Sequence, residues 1–308
     1  MNGKRKVIMG KPFRLEWTIE EQDSNKVLRD FLAQQKISKS ALTDIKYKGG
    51  SIYINDQEVT VRYILKTDDR VCIIFPKEEG SEQLKGENIP LSIAYEDDYV
   101  LVVEKPPGMS SIPSREHPTG SLANAIIGYY EQIGHLATVH IVTRLDRDTS
   151  GLVLIAKHRH IHHLFSLSKS VKTVERKYKA LIKGALTPSK GIIEQPIGRV
   201  ETSIIKREVR GDGQYALTEY NTIQLYNQFS LVELKLQTGR THQIRVHMAH
   251  KGHPLLGDDL YGGSRKLIGR QALHCYSLKF LHPVTEKRLS FEIPLPDDIL
   301  HVIQNAEK

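Results

Sequence analysis

The sequence of 308 residues has little cysteine and no long apolar run. Its two cysteines, Cys72 and Cys275, lie far apart in the chain, which excludes a disulfide framework and a cysteine-based zinc site. No apolar stretch approaches the roughly 20 residues that a membrane span requires. The basic N-terminus is not followed by an apolar segment of signal-peptide length. We therefore expect a cytoplasmic protein without a membrane partner.

Patterns for nucleotide and metal chemistry are also missing. The chain has no GxGxxG, GxSxG or kinase motif, and KPPG at Lys105–Gly108 is too short for a phosphate-binding Walker loop. The histidines between residues 235 and 253 show neither HExxH nor Cys/His spacing, and acids follow only at Asp258 and Asp259. We expect no cofactor, no nucleotide and no metal.

The chain does have a surplus of positive charge, with 44 Lys+Arg against 36 Asp+Glu and a net charge of +8. Residues 1–50 carry 11 basic against 6 acidic residues, and residues 157–183 carry 8 against Glu175 alone. Residues 235–253 hold four basic residues, four histidines and no acid. Solvated surfaces normally mix charge signs, so these zones favour one electropositive face with an anionic partner, most commonly nucleic acid. Three unrelated solvated faces are the alternative.

The length predicts two domains, and the hydrophobic pattern predicts an α+β fold. Apolar residues at helical spacing predict a helix over 24–35, with Ser24 or Asn25 as its N-cap. The polar, glycine-bearing segment 77–90 marks a domain boundary. Downstream, strands and helices alternate irregularly, which favours a mixed, mainly antiparallel sheet over a doubly wound one.

The densest chemical motif is TRLDRDTSG at residues 143–151, where Asp146 lies between Arg144 and Arg147. Flanking guanidinium groups stabilise an ionised carboxylate, which suits a nucleophile or a base near neutral pH. An ion pair beside a turn is the purely structural alternative.

A second motif, LQTGRTHQIRVHMAH, carries Arg245 after a glycine turn. In an extended stretch, Gln243, Arg245 and His247 share one face and the intervening apolar residues share the other. Such a strand presents Arg245 to an acid or a phosphate.

A third motif, ERKYKA, places Tyr178 in a strongly basic segment. Positive surroundings lower the pKa of a phenol and make it a plausible acid or base. A tyrosine at the edge of the core is the alternative.

Taken in order, EKPPG, RLDRDTSG, ERKYKALIKG and LQTGRTHQIRVHMAHKGHPLLGD resemble the RluA-type pseudouridine synthases, as do the later ALHC and FLHP. The resemblance covers roughly residues 90–295. The N-terminal helices and KGGSIYIN resemble an S4-like RNA-binding domain. The predicted division is therefore an S4-like domain over 1–80, a linker over 81–90 and a pseudouridine synthase domain over 91–308.

The resemblance implies that a uridine in RNA loses its glycosidic bond, rotates, and is rejoined through carbon 5. Asp146 would be the catalytic aspartate, acting on the sugar, on the base or as a base towards the ribose. Tyr178 would take the proton from carbon 5 and stack on the uracil, and Arg245 would pair with Asp146. The candidates for RNA binding are Arg144, Arg147, Lys179, Arg240 and Lys105.

One position departs from the family pattern, because Thr143 stands where the family usually has histidine. That change bears on the subgroup and the substrate. We expect large-subunit ribosomal RNA as substrate, with transfer RNA as the alternative, a flipped target base, and a monomer. An inactive RNA-binding protein of ribosome assembly and a nucleic-acid glycosidase are competing hypotheses.

Overall fold

A computed structural model describes residues 12–306 except 79, 81–83, 136 and 168–173. In these residues, the helices α1 to α6 are Leu28–Gln34, Lys39–Tyr47, Leu122–Ile133, Arg159–Leu167, Gln243–His250 and Asp297–Ala306. The strands β1 to β16 are Arg14–Thr18, Ser51–Ile54, Gln57–Glu58, Arg70–Ile74, Ser92–Glu96, Val100–Lys105, His140–Ile141, Ser150–Ala156, Val174–Lys183, Lys190–Glu194, Ile197–Arg199, Arg207–Val209, Leu217–Leu225, Phe229–Leu236, Leu273–Leu281 and Arg288–Glu292. No helix in the described ranges is long and apolar enough to cross a membrane.

The first four strands form an antiparallel sheet of their own, in the order β1-β4-β2-β3. Helices α1 and α2 share one buried apolar cluster with it. Helix α1 begins at Leu28, so the predicted N-cap at Ser24 or Asn25 is wrong. The reason is a competing contact: the Asn25 N–H donates to the Leu65 carbonyl at 2.8 Å, and Asn25 takes a positive φ of 63°.

The second sheet has ten strands, eight of them in the order β10-β13-β14-β9-β15-β8-β6-β5. Strand β16 pairs with β15, and β7 pairs with β8. The β8–β15 pair is parallel, whereas the other pairs in this sheet are antiparallel. The predicted α+β class with a mixed, mainly antiparallel sheet is confirmed.

The centre of this sheet brings distant motifs together. Cys275 on β15 is the register partner of Tyr178 on β9 and of Gly151 on β8. Gly151 has a φ of +119°, and a Cβ there would lie 2.3 Å from the Cys275 carbonyl oxygen. Only glycine fits this approach. The loop before β8, which carries Asp146, therefore reaches the sheet beside Tyr178.

The segment around Arg245 is the helix α5, so the predicted extended strand is wrong. Alternation of polar and apolar residues predicts a strand with one solvent-exposed face, but residues 243–248 are all buried. The polar members have buried partners: the Gln243 amide donates to the Leu217 carbonyl at 3.0 Å, and His247 Nδ1 lies 2.8 Å from Thr218 Oγ1. A helix buried on all sides shows no period of 3.6.

The segment after β4 packs against the rest of the protein. Glu78 is buried, accepts a hydrogen bond from the Arg159 N–H at 2.7 Å and lies 2.7 Å from His140 Nε2. Burial alone would raise the pKa of Glu78, but the hydrogen bond with His140 and the interactions with His158 and the Arg159 N–H lower it to about 2. Residues 1–11 and 81–83 of the predicted N-terminal domain and linker lie outside the described residues, and the predicted boundaries stay a proposal.

We predict that Glu78→Gln lowers the free energy of unfolding by about 2–3 kcal/mol at pH 7, because the ionised carboxylate is preferred in the folded state. A folded pKa of about 2 against the usual 4.5 means that this stabilisation is present above pH 4.5 and is lost as the pH falls towards 2. Urea unfolding at several pH values measures it, with the exposed Glu58→Gln as the control. A difference between wild type and Glu78→Gln that does not change with pH would contradict the assignment.

Candidate active site

The loop that carries Asp146 is held rigidly before β8. The Ser111 hydroxyl donates to the Leu145 carbonyl at 2.7 Å and accepts from the Leu145 N–H at 3.1 Å. Thr143 is buried, and its Oγ1 accepts from the Leu154 N–H at 3.0 Å. The residue that departs from the family pattern thus closes the loop onto β8.

Lys105 stabilises the same loop through hydrogen bonds to backbone carbonyl oxygens. Its Nζ donates to the carbonyl oxygens of Pro106 at 2.9 Å, Met109 at 2.7 Å and Arg147 at 2.9 Å. Burial lowers the pKa of Lys105 to about 7, although the nearby Asp146 charge opposes the shift. The expectation that Lys105 contacts RNA is wrong in this structure, because the side chain is inaccessible and its three donors are used within the protein.

Arg245 on α5 connects two carboxylates. Its Nη1 donates to Asp146 Oδ2 at 3.1 Å, while its Nε and Nη2 donate to the two oxygens of Asp258 at 2.7 and 2.8 Å. Burial opposes the charge, but the hydrogen bonds to Asp258 and the Asp146 charge raise the pKa of Arg245. The guanidinium group therefore stays ionised and orients the Asp146 carboxylate.

Asp258 is a site residue that the sequence analysis missed. It had been considered only as a metal ligand, whereas its side chain is fully buried and holds Arg245 by a two-point contact. The signal was its place in GHPLLGD, one of the motifs that carry the family resemblance. In the described residues, no group of three or more His, Cys, Asp and Glu side chains is arranged to hold a metal ion.

His242 and Tyr261 complete the surroundings of the Asp146 carboxylate. His242 Nε2 lies 3.8 Å from Asp146 Oδ2, and its Nδ1 lies 2.9 Å from the Tyr261 hydroxyl. Burial lowers the pKa of His242, although the Asp146 charge opposes the shift. The Arg245 guanidinium lies 5.0 Å from the centre of the Tyr261 ring. A neutral imidazole and a cation–π contact thus border the carboxylate.

Tyr178 lies on β9 at the bottom of the site and is only 2% exposed. Burial raises the pKa of Tyr178 far above that of a free phenol, and the Arg176 charge opposes this only in part. The expected lowering of its pKa is wrong, because Lys177 and Lys179 project from the opposite face of the strand. The site therefore has an aromatic face and a neutral hydroxyl.

Of the remaining candidates for RNA binding, three arginines are exposed near the site. Arg144 is exposed, Arg147 Nε donates to the Gly108 carbonyl at 3.2 Å, and Arg240 Nε donates to the Tyr215 carbonyl at 2.9 Å. Lys179, by contrast, lies on the other face of the sheet, where its Nζ is 4.6 Å from the centre of the Tyr276 ring. The structure does not bring Lys179 to the site.

Two connected spaces lead to these side chains. An entrance cleft of about 850 Å³ is lined by Asp146, Arg144, Arg147, Arg176 and Arg240, among others. An inner pocket of about 60 Å³ continues from the cleft to Asp146, Tyr178 and Arg245. An ionised carboxylate at the end of a cationic cleft, beside an aromatic ring, suits nucleophilic or base chemistry on an anionic substrate with a planar group.

Comparisons with known proteins find a family and a fold that this chain resembles. Residues 99–250 match the family described as RNA pseudouridylate synthase. The Bacillus subtilis (strain 168) protein named uncharacterized RNA pseudouridine synthase YjbO is 50% identical, over 90% of this chain and 98% of its own. Ribosomal large subunit pseudouridine synthase D of Vibrio cholerae serotype O1 is 34% identical, over 82% of each chain. The structure of human RNA pseudouridylate synthase domain containing 4 has the same fold, with a TM-score of 0.57, 24% identity, and coverage of 70% of this chain and 93% of that one.

We predict that Asp258→Asn lowers the free energy of unfolding by about 3 kcal/mol, because it leaves the buried charge of Arg245 without its two-point partner. Asp259→Asn is the matched control. The adjacent Asp259 carboxylate is exposed and pairs with the exposed Arg265 at 3.1 Å, so its loss should cost less than about 1 kcal/mol. Denaturant unfolding measures both variants. Equal losses for the two would show that the Arg245–Asp258 contact does not stabilise the site.

Proposed function

The chain belongs to the RNA pseudouridylate synthase family and is an RNA pseudouridine synthase of the RluA type, and from that premise we propose that it isomerises uridine in large-subunit ribosomal RNA through Asp146, Tyr178 and Arg245. The observation that carries the catalytic assignment is the ionised Arg245, which donates to Asp146 at 3.1 Å beside the inner pocket. Relatives named ribosomal large subunit pseudouridine synthase D support the choice of substrate. Such a substrate also implies action in the cytoplasm.

Asp146 acts in its ionised form. Attack on the sugar, attack on the base and abstraction of a ribose proton all require a free electron pair on the carboxylate, and the hydrogen bond from Arg245 orients that carboxylate. The buried Asp258 fixes the direction of this hydrogen bond by holding the other edge of the guanidinium group.

Tyr178 provides the surface on which the uracil rotates. Its ring borders the inner pocket, and stacking on an aromatic ring holds a base without fixing its rotation. Burial disfavours the phenolate, because it raises the pKa of Tyr178. We therefore assign the neutral side chain first to stacking; to take the proton from carbon 5, it would have to pass its own hydroxyl proton on.

The RNA lies over the entrance cleft with its target base flipped out of the stack. The exposed Arg144, Arg147 and Arg240 hold phosphates around the cleft. The proposed S4-like domain over 1–80 adds a second RNA-binding surface, joined through 81–90 to the catalytic domain over 91–308. The enzyme works as a monomer.

We predict that Asp146→Asn reduces pseudouridine formation by roughly 10³-fold or more, since the amide lacks the charge that the chemistry needs. RNA affinity should stay within a factor of about three. The assay uses an unmodified transcript of large-subunit ribosomal RNA, with carbodiimide modification and primer extension to map the product. Asp148→Asn, two residues along the same loop, is the control and should retain activity. An active Asp146→Asn would remove this residue from the mechanism.

The substrate is tested in cells that lack the gene. We expect at least one pseudouridine of large-subunit ribosomal RNA to disappear, and to return with a plasmid copy of the wild type but not of Asp146→Asn. The same mapping of transfer RNA from these cells covers the alternative substrate. Loss of a modification from transfer RNA alone would overturn the ribosomal assignment.

A further inference from the structure

Arg176 is a cation without a counter-ion beside the catalytic pocket. The neighbouring charges on β9 are paired: Glu175 lies 2.7 Å from Lys235, and Lys177 lies 3.1 Å from Glu233. Arg176 forms no ion pair with any residue in the described ranges. It lies two residues before Tyr178 and so projects from the same face of the sheet.

The Nε of Arg176 is buried but donates no hydrogen bond within the described residues. The guanidinium group of Arg176 lies close to Gly239, where a Cβ would be 3.0 Å from Nη2 and 3.7 Å from Nη1. A side chain at 239 would require the group to shift by a few tenths of an ångström. A buried donor without a partner is available to a ligand.

The surroundings indicate what that ligand is. Arg176 lines both the entrance cleft and the inner pocket. The carboxylate of Asp146, the acid shared by these two spaces, already accepts from Arg245. A nucleotide whose base enters the inner pocket must leave its phosphates at the junction with the cleft.

We propose that Arg176 binds a backbone phosphate of the flipped target nucleotide and thereby sets how deeply the uridine enters the pocket. This inference rests on the proposed function and adds a contact that positions the substrate. A phosphate neutralises the positive charge of Arg176 and accepts hydrogen bonds from several N–H groups of its guanidinium group. An uncharged uracil carbonyl would accept a hydrogen bond but leave the positive charge uncompensated.

The test compares Arg176→Gln, Arg176→Lys and the control Lys177→Gln, whose side chain lies on the other face of the sheet. The probe is a short transcript that contains the uridine mapped with the wild-type enzyme. We expect Arg176→Gln to weaken RNA binding about tenfold and to reduce the slope of log affinity against log salt by about 0.7–0.9, the value of one phosphate contact. Arg176→Lys should retain the wild-type slope, and Lys177→Gln should retain both affinity and slope.

A second measurement locates the phosphate. Synthetic RNA carries a neutral methylphosphonate on one side or the other of the target uridine. Neutralising the contacted phosphate should weaken wild-type binding about tenfold and have little further effect on Arg176→Gln. The inference would be overturned if Arg176→Gln and the methylphosphonate weakened binding independently of each other at both positions. A salt slope unchanged in Arg176→Gln would also overturn it. Either result would point to a contact with uracil. If the wild type forms no pseudouridine in ribosomal RNA, the proposed substrate fails instead.

Discussion

The site depends on one buried guanidinium group that two carboxylates share. Arg245 costs free energy to bury, and the contacts with Asp258 and Asp146 offset that cost. The division between the two acids is unequal: Asp258 is fully buried and takes two hydrogen bonds, whereas the side chain of Asp146 is 26% exposed and takes one. Asp258 therefore fixes the arginine, and Asp146 is the more accessible of the two carboxylates.

The sheet makes this arrangement possible because β15 lies between β9, which carries Tyr178, and β8, which follows the loop of Asp146. Strand β15 pairs with β9 on one side and with β8 on the other, so Tyr178 and the loop of Asp146 meet across Cys275. The same position leaves Tyr178 only 2% exposed, and desolvation then dominates over the nearby Arg176 charge. Burial, rather than the local charge in the sequence, decides the protonation of this phenol.

The sequence motifs identified the family, the α+β class and the three residues to which we assign the chemistry. They failed where tertiary contacts override a local pattern. The polar residues of α5 looked solvent-facing because nothing in the sequence shows that Thr218 and Leu217 lie above them. Lys105 looked like an RNA contact for the same reason. The position of Lys179 away from the site follows from strand alternation, which places it on the face opposite Tyr178.

The net positive charge of the sequence does not show which cations can bind an anion, because many of them are paired with carboxylates within the protein. Arg245, Arg270 and Arg210 are all engaged by carboxylates and present little field to a ligand. Arg176 is different, because the protein desolvates its donor and leaves its charge uncompensated. Leaving a buried donor without a partner costs free energy, and a bound anion would offset that cost. Among the described residues, Arg176 and the exposed Arg144, Arg147 and Arg240 are therefore the cations at the cleft that remain available to an anionic ligand.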